Sequence, residues 1–392
     1  MDPLRIYVIW DENAPDNRSA AEDIAGRFDG IGMHRDGHRF HVPVRIRFTP
    51  NPAIDNGTLS SGSGPLKIEL DRARLNVFVV LYDDRMSEHH DAWNLWLEQL
   101  TSDVRRAGRD DLFIIQGAPM TPRPQFAALP HVQGLPIDDP AAYPARRYRT
   151  RWMLRVVNAI HRRWRQAIDG RAGADRNLRV FVSHAKRDGI GYAERLTDLA
   201  TRINNDLNIN IVFDRTWLIP GVNFRDEFVD AIRDGALLVF ATDTYHERTW
   251  CHFETLTAKQ TARPVVVADL AAQGAARTFP YIGNVPSFRV ATGDVVADAE
   301  IEELLLMVLL ESLRITLWTW DARERIAAAG IASATTLVPR PPELLDLCET
   351  VRLAETPVLV IYPDPPIGEH ERDFLDRVMP SVTFKALSEV AP

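Results

Sequence analysis

Between residues 179 and 270, four strand-length apolar runs alternate with helical patterns: RVFVSHA (179–185), NINIVFD (208–214), ALLVFAT (236–242) and ARPVVVADL (262–270), with helices expected near 191–204, 223–234 and 250–260. Such alternation leaves few folds open, because neighbouring parallel strands need a crossover, usually a helix, between them. With a further helix expected at 298–313, this section reads as a five-unit doubly wound parallel sheet. Ligands of such sheets bind beyond the carboxyl ends of the strands, so the polar segments after each run are where chemistry is expected.

The residues before this section repeat the theme. RIYVIW (5–10), VPVRIRF (42–48), LNVFVVLY (75–82) and DLFIIQGA (111–118) have strand length and composition, and helices are expected at 18–28 and 91–106. The Gly-, Ser- and Pro-rich stretch 51–65 reads as a surface loop. Trp152, Val156, Ile160, Trp164 and Ile168 recur every four residues, which predicts a terminal helix with an inward apolar stripe and solvated basic faces. An anionic partner or an assembly contact is the other reading of those arginines. DGRAGADRN (169–177) is a linker candidate, and the tail adds a helix near 341–354, a strand at 357–363, a helix near 368–379 and a strand at 381–387. A chain of 392 residues exceeds one ordinary core, so three domains are expected: 1–170, an α/β domain; 177–313; and 314–392, a small α/β extension.

Composition removes several function classes. The net charge of -8 argues against a general nucleic-acid binder. Cys251 and Cys348 are the only cysteines, too few for a disulfide framework or a four-cysteine zinc site, and a reducing cytoplasm is the expected location. The N-terminus lacks the basic flank and long apolar core of a signal peptide, and LLLMVLL (304–310) is short of the ~20 residues that span a bilayer. There is no P-loop and no GxSxG elbow, and the GIG triplets at 30–32 and 189–191 lack the third glycine of a dinucleotide fingerprint. His34, His38 and His41 have no neighbouring acidic or cysteine cluster, so no metal is expected.

Three separated motifs in order carry more specific information: VFVSHAKRD (180–188), FDRTWLIPGVNFRDEF (213–228) and the WCxxE pattern of Trp250, Cys251 and Glu254. Over residues 178–313 the chain resembles a bacterial Toll/interleukin-1 receptor (TIR) domain. That resemblance implies a flavodoxin-like doubly wound sheet and one of two activities, hydrolysis of NAD at the nicotinamide–ribose bond or non-enzymatic scaffolding by TIR–TIR self-association. It implies that Glu254 is the catalytic residue. The nucleotide site would be formed by Ser183, His184, Ala185 and Lys186 after the first strand, by Asp214, Trp217, Leu218, Gly221 and Phe224 after the second, and by Trp250. NAD would be substrate, with no cofactor; activity would require oligomers, with an upstream sensor or activating ligand as a further partner and antiphage defence as the setting. A cyclase that makes a cyclic ADP-ribose signal is a third outcome, since the acceptor depends on water access.

The residues themselves fit this chemistry. Trp250 and Glu254, four apart on a helix, would present an aromatic plane and a carboxylate to the same space. Glycosidic cleavage normally takes two carboxylates, one of them to protonate the leaving oxygen. Nicotinamide leaves NAD as a neutral molecule and needs no proton, so one acid suffices, acting electrostatically on the oxocarbenium-like charge. Blander roles stay open: Trp250 as a cover for the sheet edge, Cys251 as a small buried apolar residue, Lys186 and Arg187 as solvated loop charges, Asp214 as a turn or cap residue. Ile219 and Pro220 before Gly221, and His246 to Thr249 before the tryptophan, depart from the usual family pattern. In the first section the layout strand, polar loop, Trp-bearing helix recurs, but Leu97 stands four after Trp93, so a TIR-like, non-catalytic partner or sensing domain is expected there.

Overall fold

The structure, a computed structural model, describes residues 1–10, 15–28, 44–50, 54–55, 58–59, 68–82, 86, 90–107, 111–116, 144–170, 177–185, 201–203, 205, 210–213, 224–233, 235–271, 282–290, 297–331, 335–343 and 358–390. The chain forms two compact units, Met1–Arg176 and Asn177–Pro392. Both are α/β, with parallel sheets flanked by helices.

In the first unit the elements are β1 (Asp2–Trp10), α1 (Pro15–Phe28), β2 (Val44–Pro50), β3 (Ile54–Asp55), β4 (Thr58–Leu59), β5 (Ala73–Leu81), α2 (His90–Arg106), β6 (Leu112–Gln116) and α3 (Ala145–Ala167). The main sheet has the order β2-β1-β5-β6, all parallel. β1 and β5 are buried along nearly their whole length because both faces are covered, which is why their sequences are apolar at consecutive positions. The expected loop at 51–65 contains the small antiparallel pair β3–β4, whose strands flank Asn56-Gly57, a dipeptide favoured between hairpin strands. α3 departs from the solvated basic helix expected from sequence. Arg151, Arg155, Asn158 and His161 are buried along with the apolar stripe, so the helix is covered on more than one side and the four-residue periodicity marked only part of the covered surface.

The second unit begins with β7 (Arg179–His184), β8 (Asn210–Phe213), α4 (Phe224–Ile232), β9 (Gly235–Ala241), α5 (Thr249–Gln260), β10 (Val265–Asp269) and β11 (Ser287–Arg289). Its five-stranded parallel sheet has the order β8-β7-β9-β10-β11, that is, 2-1-3-4-5 in chain order within the unit. Phe181, Leu237, Val239, Val265 and Val267 pack with Phe228 and Ile232 of α4 and Cys251 and Ala258 of α5 in one cluster. β7 and β9 are neighbours, but the chain leaves β7 for β8 on one side and β9 for β10 on the other. Their carboxyl ends therefore bound a crevice at the point where the winding reverses.

α6 (Asp298–Ala328) packs on β9 and β10 and runs well past residue 313, where its end is expected from sequence. The helix continues because its apolar surface does: Trp318 and Ala322 pack against Ile361, Leu387 and Val390 of the C-terminal part of the unit. That part is a parallel sheet of order β12 (Thr335–Leu337), β13 (Val358–Tyr362), β14 (Val382–Ala386), with α7 (Glu369–Val378) between the last two strands. β11 and β12, three residues each, are too short to stand out as apolar runs in the sequence. The expected helices at 191–204 and 341–354 lie largely outside the described residues, as do Cys348, His34, His38 and His41.

Candidate active site

Glu254 lies in the second turn of α5, and only 6 % of it is exposed. Both carboxylate oxygens accept hydrogen bonds. The indole Nε1 of Trp250, one turn earlier on the same helix, donates to Oε1 at 2.8 Å. Ser183 donates through Oγ to Oε2 at 2.5 Å. The first bond follows from helical spacing alone; the second joins residues 71 apart in sequence.

Ser183 is the penultimate residue of β7 and pairs in register with Val239 of β9, which places the Ser183–Glu254 contact at the carboxyl end of the crevice between these two strands. The turn from β9 into α5 sets the helix against this edge. Within it a short 3-10 segment, Tyr245–Glu247, buries Tyr245, whose hydroxyl lies 2.8 Å from Ser183 Oγ, 3.0 Å from Thr255 Oγ1 and 3.3 Å from the Cys251 carbonyl oxygen. Burial, reinforced by the negative charge of Glu254, pushes the Tyr245 phenol well above its ordinary range, so it stays protonated. In the same turn, burial and the neighbouring His252 hold the His246 imidazole below its usual value.

Beside the carboxylate is a run of aromatic rings. Trp250 and Phe253 stand 4.9 Å apart, Phe253 and Phe228 5.9 Å, and Phe228 and Phe181 5.5 Å. Trp250 and Phe253 are partly exposed, and the guanidinium of exposed Arg225, on the first turn of α4, lies 4.6 Å from the centre of the Phe253 ring. An aromatic surface, a cation and a buried acid thus occur together on α4 and α5.

Of the residues expected from sequence, Glu254, Trp250 and Ser183 are brought into one hydrogen-bonded group. His184 ends β7 with its carbonyl accepting a 3.7 Å contact from the Cys251 thiol, and Ala185 next to it is buried. Cys251 is a buried free thiol packed in the core, the bland role allowed for it. Trp250 does more than cover an edge, since it holds the acid. Lys186, Asp214, Trp217, Leu218 and Gly221 lie outside the described residues; Phe224 opens α4, and its side chain is likewise undescribed. Tyr245, Thr255, Phe253 and Arg225 were not singled out by sequence reasoning. Thr255, adjacent to Glu254, and Tyr245, nine residues before it, carry no spacing signal, because their convergence depends on the turn before α5.

In the first unit Leu97, four residues after Trp93 on α2, is fully buried in the core beside that tryptophan. Among the described residues no cluster of His, Cys, Asp or Glu has the arrangement of a metal site, and no helix is long and apolar enough to cross a membrane. No protein-family model matches the chain, and no curated protein matches it.

Proposed function

We propose that the chain is a bacterial NAD glycohydrolase of the TIR kind, with Glu254 as its catalytic carboxylate. The observation that carries this reading is a buried acid at the winding reversal of a 2-1-3-4-5 parallel sheet, held on one oxygen by Trp250 and on the other by Ser183. That strand order is the flavodoxin-like one, and its ligand crevice lies at the carboxyl ends of the first and third strands, which are β7 and β9. The order supports the TIR reading made from the motifs.

In this reading Glu254 accepts the ribose hydroxyls of NAD as well as the Trp250 and Ser183 donors, since a carboxylate offers about four acceptor sites. As the C1′–nitrogen bond breaks, its electron pair leaves with nicotinamide and positive charge develops on the ribose. The fixed negative charge of Glu254, in a site of low dielectric, stabilises that charge. Water then adds to C1′ and loses a proton, giving ADP-ribose, nicotinamide and one proton. Trp250 and Phe253 offer a partly exposed aromatic surface for a base or the nicotinamide ring, and Arg225 offers a charge for the pyrophosphate. Assembly through the second unit would supply any remaining part of the site from a neighbouring copy.

Incubation of the purified full-length chain with NAD at rising protein concentration, with nicotinamide followed by chromatography, tests the assignment. Release is expected from the wild type and a loss of at least 100-fold from Glu254→Gln, the order seen when a preorganised charge-stabilising group is removed. Equal turnover by the two proteins would reject the role of Glu254. Absence of NAD loss at every concentration, with self-association still observed, would favour the scaffold; a cyclic product would identify a cyclase.

A further inference from the structure

Tyr245 has no part in the chemistry just given, yet its hydroxyl is central to the buried polar network behind Glu254. Tyr245 is 1 % exposed, Ser183 and Thr255 2 % each. Three hydroxyls and one carboxylate are linked in sequence: Thr255 Oγ1 to Tyr245 Oη at 3.0 Å, Tyr245 Oη to Ser183 Oγ at 2.8 Å, Ser183 Oγ to Glu254 Oε2 at 2.5 Å.

Each hydroxyl has one hydrogen to donate. The hydrogen of Ser183 goes to the carboxylate, which as an anion can only accept. The Ser183–Tyr245 contact must then use the hydrogen of Tyr245, and the Tyr245–Thr255 contact that of Thr255. With Tyr245 donating to Ser183, all three hydrogens point toward Glu254. The competing acceptor is the carbonyl of Cys251, 3.3 Å from Tyr245 Oη; a phenol turned to it would leave Ser183 without a donor from this side. Chains of aligned donors polarise one another, so the last bond is stronger than an isolated serine–carboxylate bond.

We infer that Tyr245 is a positioning residue for Glu254: backed by Thr255, it directs the Ser183 hydroxyl at the carboxylate and so holds that group ionised and fixed in its buried place. Its catalytic consequence rests on the glycohydrolase reading, whereas the hydrogen-bond order itself does not. Tyr245 is in electrostatic contact with Glu254 and with Cys251, and Cys251 is common to all the variants below.

The test uses the full-length chain with Tyr245→Phe, Ser183→Ala and the double variant. The carboxyl band of Glu254, isolated by infrared difference against Glu254→Gln, is titrated in each, and kcat and KM for nicotinamide release are measured in parallel. Tyr245→Phe is expected to raise the midpoint of the Glu254 band by about one pH unit, a tenfold rise in proton affinity. It should lower kcat about tenfold, with KM little changed. Ser183→Ala should shift the midpoint at least as far, and the double variant no further than Ser183→Ala, because Tyr245 acts through Ser183. A midpoint untouched by Tyr245→Phe, or a double variant showing the sum of the two shifts, overturns the inference. If thermal unfolding shows that Tyr245→Phe does not fold, the isosteric Thr255→Val, which removes the donor behind Tyr245, takes its place with a smaller shift in the same direction. Midpoints that move as expected in a protein that releases no nicotinamide would leave the relay standing and reject the glycohydrolase.

Discussion

Trp250 and Ser183 hold the two oxygens of Glu254 by different routes, and the difference is testable. The indole bond is local to one helix, and Trp250→Phe removes its N–H while keeping an aromatic ring. A hydrogen bond to a charged group contributes about 1.5 kcal/mol. Single-turnover nicotinamide release by this variant should therefore slow about tenfold, and an unchanged rate would mean that the indole serves only as surface. This half of the site was legible in the sequence, because residues four apart on a helix share a face. The Ser183 bond was legible only through the family motif, and Tyr245 was not legible at all. Sequence spacing does not say where the turn after β9 sends a side chain, and Tyr245 reaches Ser183 only because that turn folds back over the sheet edge.

At the level of elements, α5 is secured at its far end by a charged group buried in the second unit. Lys259, whose side chain is fully buried, donates to both carboxylate oxygens of Glu343 at 2.7 Å and to the Gly283 carbonyl at 3.0 Å. The residues around Glu343 add further ties: Asn284 donates to the Pro341 carbonyl at 2.9 Å, Arg314 to that of Pro339 at 3.0 Å, and Arg340 to that of Arg263. Removing one partner of such a pair leaves the other charge uncompensated. Lys259→Ala should cost about 3 kcal/mol in chemical denaturation, and Lys259→Met combined with Glu343→Met should recover most of it. A cost below about 1 kcal/mol would show that the pair is effectively solvated. The C-terminal sheet carries a weaker, pH-dependent tie. The Arg372 guanidinium, 2.8 Å away, holds the Glu389 carboxyl below its ordinary value of 4.5, helped by the Ala386 amide. A depressed folded-state value stabilises above the unfolded one and is lost as pH falls through the folded one. Thermal stability should thus drop slightly below about pH 4.5, by under about 1 kcal/mol because both side chains are about a third exposed, and Glu389→Gln should remove that part of the acid dependence. The strands and helices of the two larger sheets were largely legible from apolar runs. The length of α6 was not, since Trp318 and Ala322 lie in a stretch whose burial depends on the sheet that follows it.

For the whole molecule, the division at Arg176 and Asn177 predicts two cooperative blocks. Scanning calorimetry of the full chain should resolve two transitions. Leu97→Ala, a cavity in the core of the first unit, should lower one of them by an amount equivalent to about 2–5 kcal/mol, and Ile232→Ala should lower the other. A single transition shifted equally by both substitutions would show that the units unfold together. The apolar runs and the segments between them determined that this chain builds parallel α/β sheets, because strand-length runs separated by helical segments pair in parallel through crossovers. They also placed a tryptophan and a glutamate on one face of one helix. Tertiary structure decided that the strand order reverses at β7 and β9 and that Ser183, with Tyr245 behind it, meets the glutamate there. Those outcomes depend on which distant elements pack together, and packing between residues 71 apart leaves no periodicity in the chain from which it could be foreseen.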